Sequence, residues 1–254
     1  MKNIKLTLQY DGAGFAGYEI QPGKRTIRGE IEKALKKLFK QKISIVSSSR
    51  TDAGVHALQN VINFWADHTI PTAKLSLALN ACLPQDLRVL NAVTVGKNFN
   101  ARFDAKSKEY EYLIFNGEIL PPFLKNLAWL VKPRLKLSAM RKAVKHLIGK
   151  HDFSSFCAAG GDDKDHVRII HSFVIRNSSF VIWGDSKWKV IKIKVVGNGF
   201  LYKMVRNLVG TLVDVGLGKL KAEDIRRILE AKDRRLAGRT APAQGLCLVK
   251  VNYL

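Results

Sequence analysis

The sequence predicts an α+β fold, with mostly antiparallel sheets flanked by helices and organised as two halves. Three observations carry this. Short apolar runs with a period of two recur along the chain, stretches with a helical period separate some of them, and several strand-like runs follow one another across short loops, as hairpins do. With 254 residues, 46% hydrophobic and 25% charged, the chain has the composition of a globular protein able to bury a proper core.

Residues 4–10, IKLTLQY, alternate apolar and polar and predict a half-buried strand. Residues 27–39 place Ile27, Ile31, Ala34, Leu35 and Leu38 on one helical face, with Thr26 as the N-cap. ISIV (43–46) and VINFW (61–65) read as strands, AKLSLALNACL as a helix between Pro71 and Pro84, and LRVLNAVTV (87–95) as a strand. NARFDAKSK (100–108) has low hydrophobicity and no period, so the halves are divided there, into 1–104 and 105–254.

The second half opens with EYEYLIF (109–115), where Tyr110, Tyr112 and Ile114 share a strand face. A helix from near Ser138 points Met140, Val144, Leu147 and Ile148 inward, with Gly149 just past its end. AAGGDDKD (158–165) is a glycine-rich acidic loop, followed by strands RIIHSFVI (168–175) and WKVIKIKVV (188–196). GNG then turns the chain into a helix from about Phe200 to Asp214, with Met204, Leu208 and Leu212 on its core stripe. A last amphipathic helix carries Ile225, Ile228 and Leu229, and GLCLVKVNY is a strand.

Lys and Arg number 43 against 21 Asp and Glu, a net charge of +22 that repels itself in the compact state and calls for a polyanionic partner. The lysines are scattered from Lys2 to Lys250, not gathered on one amphipathic helix, which favours nucleic acid over an anionic membrane. A single run such as Lys36 and Lys37 is a solvated helix face. Cys82, Cys157 and Cys247 are odd in number and far apart, which fits a reducing compartment and neither a disulfide framework nor a zinc ribbon. The opening MKNIKLTLQYDG lacks the apolar core of a signal peptide or membrane span. The expectation is a cytoplasmic protein with no membrane association.

Several motifs fail. GNGFLY has Tyr202 where a dinucleotide fingerprint needs its third glycine, and GLGKL has Val213 and Leu220 where a phosphate loop needs Gly and Ser or Thr. Ser47, Ser48 and Ser49 lack the GxSxG frame of a nucleophile elbow. His151, Cys157, His166 and His171 match no metal-ligand spacing. No metal, nucleotide or flavin cofactor is expected.

SSSRTDAGVHA (47–57) admits two readings. One is an ordinary turn after a strand, with Gly54 supplying positive φ. The other comes from resemblance, because the stretch is similar to the SGRTDAGVHA signature of the TruA family of tRNA pseudouridine synthases. YDGAGFAGY (10–18), NARFDAKSKEYEY (100–112), KHDFSSF (150–156), GNGFLYKMVRNLVG (197–210) and TAPAQGLCLVKVNY (240–253) resemble further family motifs in the same order. Two departures stand out: Ser49 replaces a usual Gly, and GYEIQP puts Tyr18 and Glu19 where GWQxQP is usual.

The resemblance implies the pseudouridine synthase fold, two related halves around a basic cleft, in a homodimer that binds tRNA. Its implied substrates are uridines at positions 38, 39 and/or 40 in the anticodon stem-loop. Such an enzyme breaks the N-glycosidic bond, rotates the uracil and rejoins it through C5, which requires one ionised carboxylate and a pocket for the freed base. The resemblance assigns the carboxylate to Asp52, its cationic partner to Arg206, assistance in base flipping to Arg50, stacking on the uracil to Tyr110, and an apolar pocket wall to Leu246. Without it, Arg206 reads as a solvated helix-face arginine, and Tyr110, Tyr112 and Leu246 as core. Tyr112 stays a core residue in either reading, and His56 packs against or bonds the turn instead of serving as a base. Two rivals remain: a catalytically silent RNA-binding or RNA-chaperone protein on the same fold, and a basic DNA-binding protein, for which no reader motif is visible.

Overall fold

A computed structural model describes residues 1–253 other than 68, 162 and 182–186, so Asp162 of the acidic loop lies outside the described residues. Its contacts divide the chain into two units, one of residues 1–106 with the segment from Cys247 onward, the other of residues 107–246. The first holds β1 (Lys2–Tyr10), α1 (Ile27–Phe39), β2 (Val46–Ser47), β3 (His56–Ala66), α2 (Thr72–Asn80) and β4 (Leu87–Val95). The second holds β5 (Ser107–Asn116), β6 (Trp129–Val131), α3 (Leu137–Val144), β7 (Gly149–Asp152), β8 (Val167–Val181), β9 (Lys187–Gly197), α4 (Met204–Gly216) and α5 (Asp224–Ala231). Strand β10 (Leu246–Asn252) follows, lying from Cys247 onward in the first unit.

In the first unit the alternation of β1 buries Ile4, Leu6, Leu8 and Tyr10. β1 pairs antiparallel with β3 on one side and β4 on the other, and β2 adds antiparallel to β3. β10 pairs parallel with the beginning of β3, Cys247 opposite His56, which draws this segment into the first unit. The division drawn from sequence had left residues 247–254 with the second half; no local pattern reveals a parallel partner so far away in the chain. α1 has the predicted bounds, with Thr26 accepting from the Gly29 amide and Ile27, Ile31, Ala34 and Leu35 buried. Lys36 and Lys37 are exposed on its outer face.

The ISIV run only partly becomes strand. Ile43 and Ile45 are buried, but only Val46 and Ser47 pair with β3. β3 in turn begins at His56, well before the expected VINFW run.

In the second unit β5, β9, β8 and β7 pair antiparallel in that order, while β6 lies parallel to the end of β5. Tyr110, Tyr112 and Ile114 are buried on one face of β5. α3 ends at Val144, and i to i+3 hydrogen bonds carry residues 145–147 through a tighter turn. Three residues per turn rotate the chain further than an α-helix does, so Leu147 stays buried while Ile148, expected inward, is 43% exposed. α4 starts at Met204 instead of Phe200, because Lys203 has φ +56, in the left-handed region that no α-helix continues through. Met204, Leu208 and Leu212 are fully buried, as are Ile225 and nearly so Ile228 on α5.

Candidate active site

The RTDAG turn joins β2 to β3 in the first unit. Ser47 pairs with Ile62, and the chain then loops out before returning at His56. Asp52 opens a four-residue turn in which the Val55 amide donates to its carbonyl at 3.1 Å and Gly54 has φ +79. Positive φ at the third position is what a type II turn demands, so the glycine is conformational in purpose. The turn reading of this stretch is therefore correct as local structure and compatible with a catalytic carboxylate on it.

Hydrogen bonds fix the turn from both sides. The Tyr18 amide donates to the Thr51 carbonyl at 2.9 Å, and Thr51 Oγ1 lies 2.9 Å from Tyr10 Oη. Asn60, fully buried on β3, donates through Nδ2 to Tyr10 Oη and to the Ser49 carbonyl, both at 3.1 Å, while its Oδ1 accepts from Ser48 Oγ at 2.9 Å. A buried amide whose donors and acceptor all find partners rigidifies what it touches. Sequence reading missed Asn60; a polar residue at the head of an apolar strand run was the available signal. Asp52 itself is half-buried and Arg50 exposed.

His56 Nδ1 lies 3.1 Å from both the Gly12 amide nitrogen and Asp11 Oδ1. An amide N–H can only donate, so Nδ1 is the unprotonated, accepting nitrogen and Asp11 is a neighbour of it, with Oδ1 accepting from the Ala13 amide. His56 thus ties the YDG segment to the turn.

The departures from the family pattern have structural consequences here. Tyr18 Oη and Ser49 Oγ are buried and make no well-formed hydrogen bond among the described residues; burial pushes the Tyr18 phenol above the ordinary tyrosine value, and the neighbouring Ser47 hydroxyl only partly offsets this. Glu19 pairs with Arg50 and with Arg28, both at 3.1 Å.

In the second unit, Arg206 is half-buried on the first turn of α4. Its Nε donates to the Ala241 carbonyl at 2.7 Å, and the Ala241 amide donates back to the Arg206 carbonyl at 3.1 Å. The next residue, Asn207, is fully buried, donating to the Phe156 carbonyl at 2.8 Å and accepting from Arg234 and Thr240 Oγ1. Sequence reading passed over Asn207, although it sits beside Arg206 in the same motif.

Tyr110 is 8% exposed, opposite Val195 on β9, with its ring edge-to-face against Phe200 at 5.2 Å. Tyr112 donates to the Pro242 carbonyl at 2.7 Å, its ring packed edge-on to Trp129, and burial pushes its phenol far up despite the nearby charges of Arg206 and Arg239. It is core, as its sequence reading had it. Leu246 is buried at the end of the Ala243–Gly245 turn. The structure thus brings Arg50 and Asp52 together on one turn of the first unit, and Arg206 together with the 239–242 segment in the second.

Among the described residues no group of three or more His, Cys, Asp or Glu side chains could hold a metal ion, and no helix is long and apolar enough to cross a membrane.

Comparison with known proteins gives this geometry a family. The family model for tRNA pseudouridine synthase matches residues 7–104 and 143–254. Curated relatives named tRNA pseudouridine synthase A include one from Caldicellulosiruptor bescii, 43% identical over 253 residues with all of both chains covered. Those from Bacillus licheniformis and Bacillus subtilis are 46% and 45% identical over 252 residues, with 98% of each chain covered. The matched residues contain the RTDAG turn, the MVRN helix and the TAPAQGL segment, and the chain belongs to the tRNA pseudouridine synthase family.

Proposed function

We propose that the protein converts uridine to pseudouridine at positions 38, 39 and/or 40 in the anticodon stem-loop of tRNA, with Asp52 as nucleophile on a flipped-out nucleotide. The observation that carries this is the rigid RTDAG turn, which presents a carboxylate two residues from an exposed arginine on a backbone held by Tyr18 and Asn60. The reaction cleaves the bond from C1′ to N1, rotates the uracil and forms a bond from C1′ to C5. The proton on C5 leaves for solvent while N1 gains one, so atoms balance without water or an external energy source.

Each remaining residue has a role in this reading. Arg206 keeps the Asp52 carboxylate ionised against the desolvation that a base-filled pocket brings. Arg50 helps extrude the nucleotide, whose unstacking costs a few kcal/mol. Its planar guanidinium can stack and bond phosphate together. Tyr110 stacks on the uracil, worth about 1–3 kcal/mol, and Leu246 lines the pocket. The enzyme acts in the cytoplasm as a homodimer, and the net charge of +22 supports RNA binding dominated by phosphate contacts and falling steeply with salt.

The test is a tRNA transcript labelled with tritium at uracil C5. Release of label by the purified protein, abolished in Asp52→Asn, is the expected result. Tight binding of tRNA without release would identify the silent RNA-binding protein instead, and preference for duplex DNA would point to the other rival.

A further inference from the structure

We propose that Glu19 is a positioning residue for Arg50, the last link in a chain of alternating charges that runs from helix α1 to the catalytic turn. The proposal rests on the reading of Arg50 given above. Glu32 Oε1 accepts from Arg28 Nε at 2.8 Å, Arg28 Nη1 donates to Glu19 Oε2 at 3.1 Å, and Glu19 Oε1 meets Arg50 Nε at 3.1 Å. The inner members are the more buried, Glu32 and Arg28 at 20% and 26% side-chain exposure, against 37% for Glu19 and 54% for Arg50. Each carboxylate oxygen of Glu19 therefore has its own arginine, one anchored on the helix and one at the turn.

The backbone beneath is fixed in the same sense. The Tyr18 amide donates to Thr51, the residue between Arg50 and Asp52, while the Tyr18 carbonyl accepts from the Arg28 amide at 2.9 Å and the Gly17 carbonyl from the Ile27 amide at 3.1 Å. Glu19 thus follows directly on a segment pinned between the catalytic turn and the start of α1. From there its carboxylate reaches the guanidinium of Arg50, whose side chain is more than half exposed. The N–H on Nε itself points within the guanidinium plane, so pairing through it leaves the flat faces that stacking needs. Because half-exposed ion pairs contribute at most about 1 kcal/mol, the expected effect on rate is no more than about fivefold.

Single-turnover label release and tRNA affinity are measured for Glu19→Ala and Glu19→Gln, each in the wild-type and Arg50→Ala backgrounds, with a melting curve for every variant. Glu19→Ala is expected to slow release, by no more than about fivefold, without weakening tRNA binding, since it removes a negative charge facing a polyanion. Glu19→Gln, whose amide oxygen still accepts from Nε, is expected to recover most of the rate and also guards against a folding defect in the alanine variant. In the Arg50→Ala background neither substitution should change the rate further. Full activity of Glu19→Ala beside a slow Arg50→Ala would overturn the positioning role and leave the Arg50 reading intact. Equal slowing by Glu19→Ala in both backgrounds would overturn it as well, by showing an effect through Arg28 or folding. Full activity of Arg50→Ala would remove the reading of Arg50 and the proposal together.

Discussion

Arg206 and Ala241 are bonded to each other twice, side chain to carbonyl at 2.7 Å and amide to carbonyl at 3.1 Å. This double link orients the guanidinium, and it exists because Gly210 lets the passing backbone come close: a Cβ on Gly210 would lie 1.7 Å from the Arg239 carbonyl oxygen. Gly210→Ala must displace that segment. We expect it to destabilise the fold by about 1–3 kcal/mol and to cut label release at least about tenfold, because misplacement of a catalytic group by an ångström can cost more than that. A melting curve and single-turnover assay check both; unchanged turnover would show that the 239–241 segment does not set the position of Arg206.

Arg206→Ala is expected to lower turnover severely while the protein stays folded. Arg206→Lys should not restore it, since an ammonium cannot donate to Ala241 and present a planar fork elsewhere at once. Near-normal turnover in a folded Arg206→Ala protein would take the residue out of the site.

Tyr110 packs edge-on to Phe200, so truncating it affects core and substrate alike. Tyr110→Phe keeps the ring and should retain most of the activity. Tyr110→Ala should lose about five- to 150-fold in turnover, matching a stacking contribution of about 1–3 kcal/mol. An alanine variant that binds and modifies tRNA normally would refute the stacking assignment.

Tyr18 keeps a buried hydroxyl that makes no well-formed hydrogen bond among the described residues, with the Ser47 hydroxyl as its polar neighbour. Replacing such a group by its apolar isostere removes a desolvation penalty, and Tyr18→Phe is expected to be neutral or to stabilise by up to about 1 kcal/mol. A clear fall in melting temperature would mean that the hydroxyl is bonded in solution.

Burial pushes the Asp152 carboxyl up, but hydrogen bonds from Ser154 and Lys232 outweigh it and hold the group at about 2, below its usual 3.8. Its depressed pKa means a contribution to stability that is present above the unfolded value and lost as pH falls from about 4 towards 2. Allowing for solvent screening, this amounts to about 1–2 kcal/mol. Asp152→Asn should therefore lower stability at pH 7 by this amount and flatten the acid limb of the stability curve, measured by denaturant titration from pH 2 to 7. An unchanged acid limb would contradict it.

Element type was legible wherever one stripe faces the core. α1 matched its predicted bounds from the spacing of Ile27, Ile31, Ala34 and Leu35, β1 followed from alternation, and the strand-like run 87–95 became β4 with the same bounds. Boundaries set by a single backbone conformation were not legible, as with Lys203 delaying α4 and the tighter turn after Val144 exposing Ile148. Sequence also singled out the RTDAG stretch and MVRN, because their residue types in that order match a family signature.

What the sequence by itself determined is therefore the periodic elements, the polyanion-seeking charge and the family motifs, all of which depend on neighbours along the chain or on summed composition. Only the tertiary structure decided that Asn60 braces the turn, that Asn207 and Ala241 hold the base of α4, that β10 joins β3, and that Glu19 meets Arg50. The reason is physical: each of these is a directional bond between groups brought together by folding, and a hydrogen bond worth about 1 kcal/mol leaves no periodic trace in the residues around it.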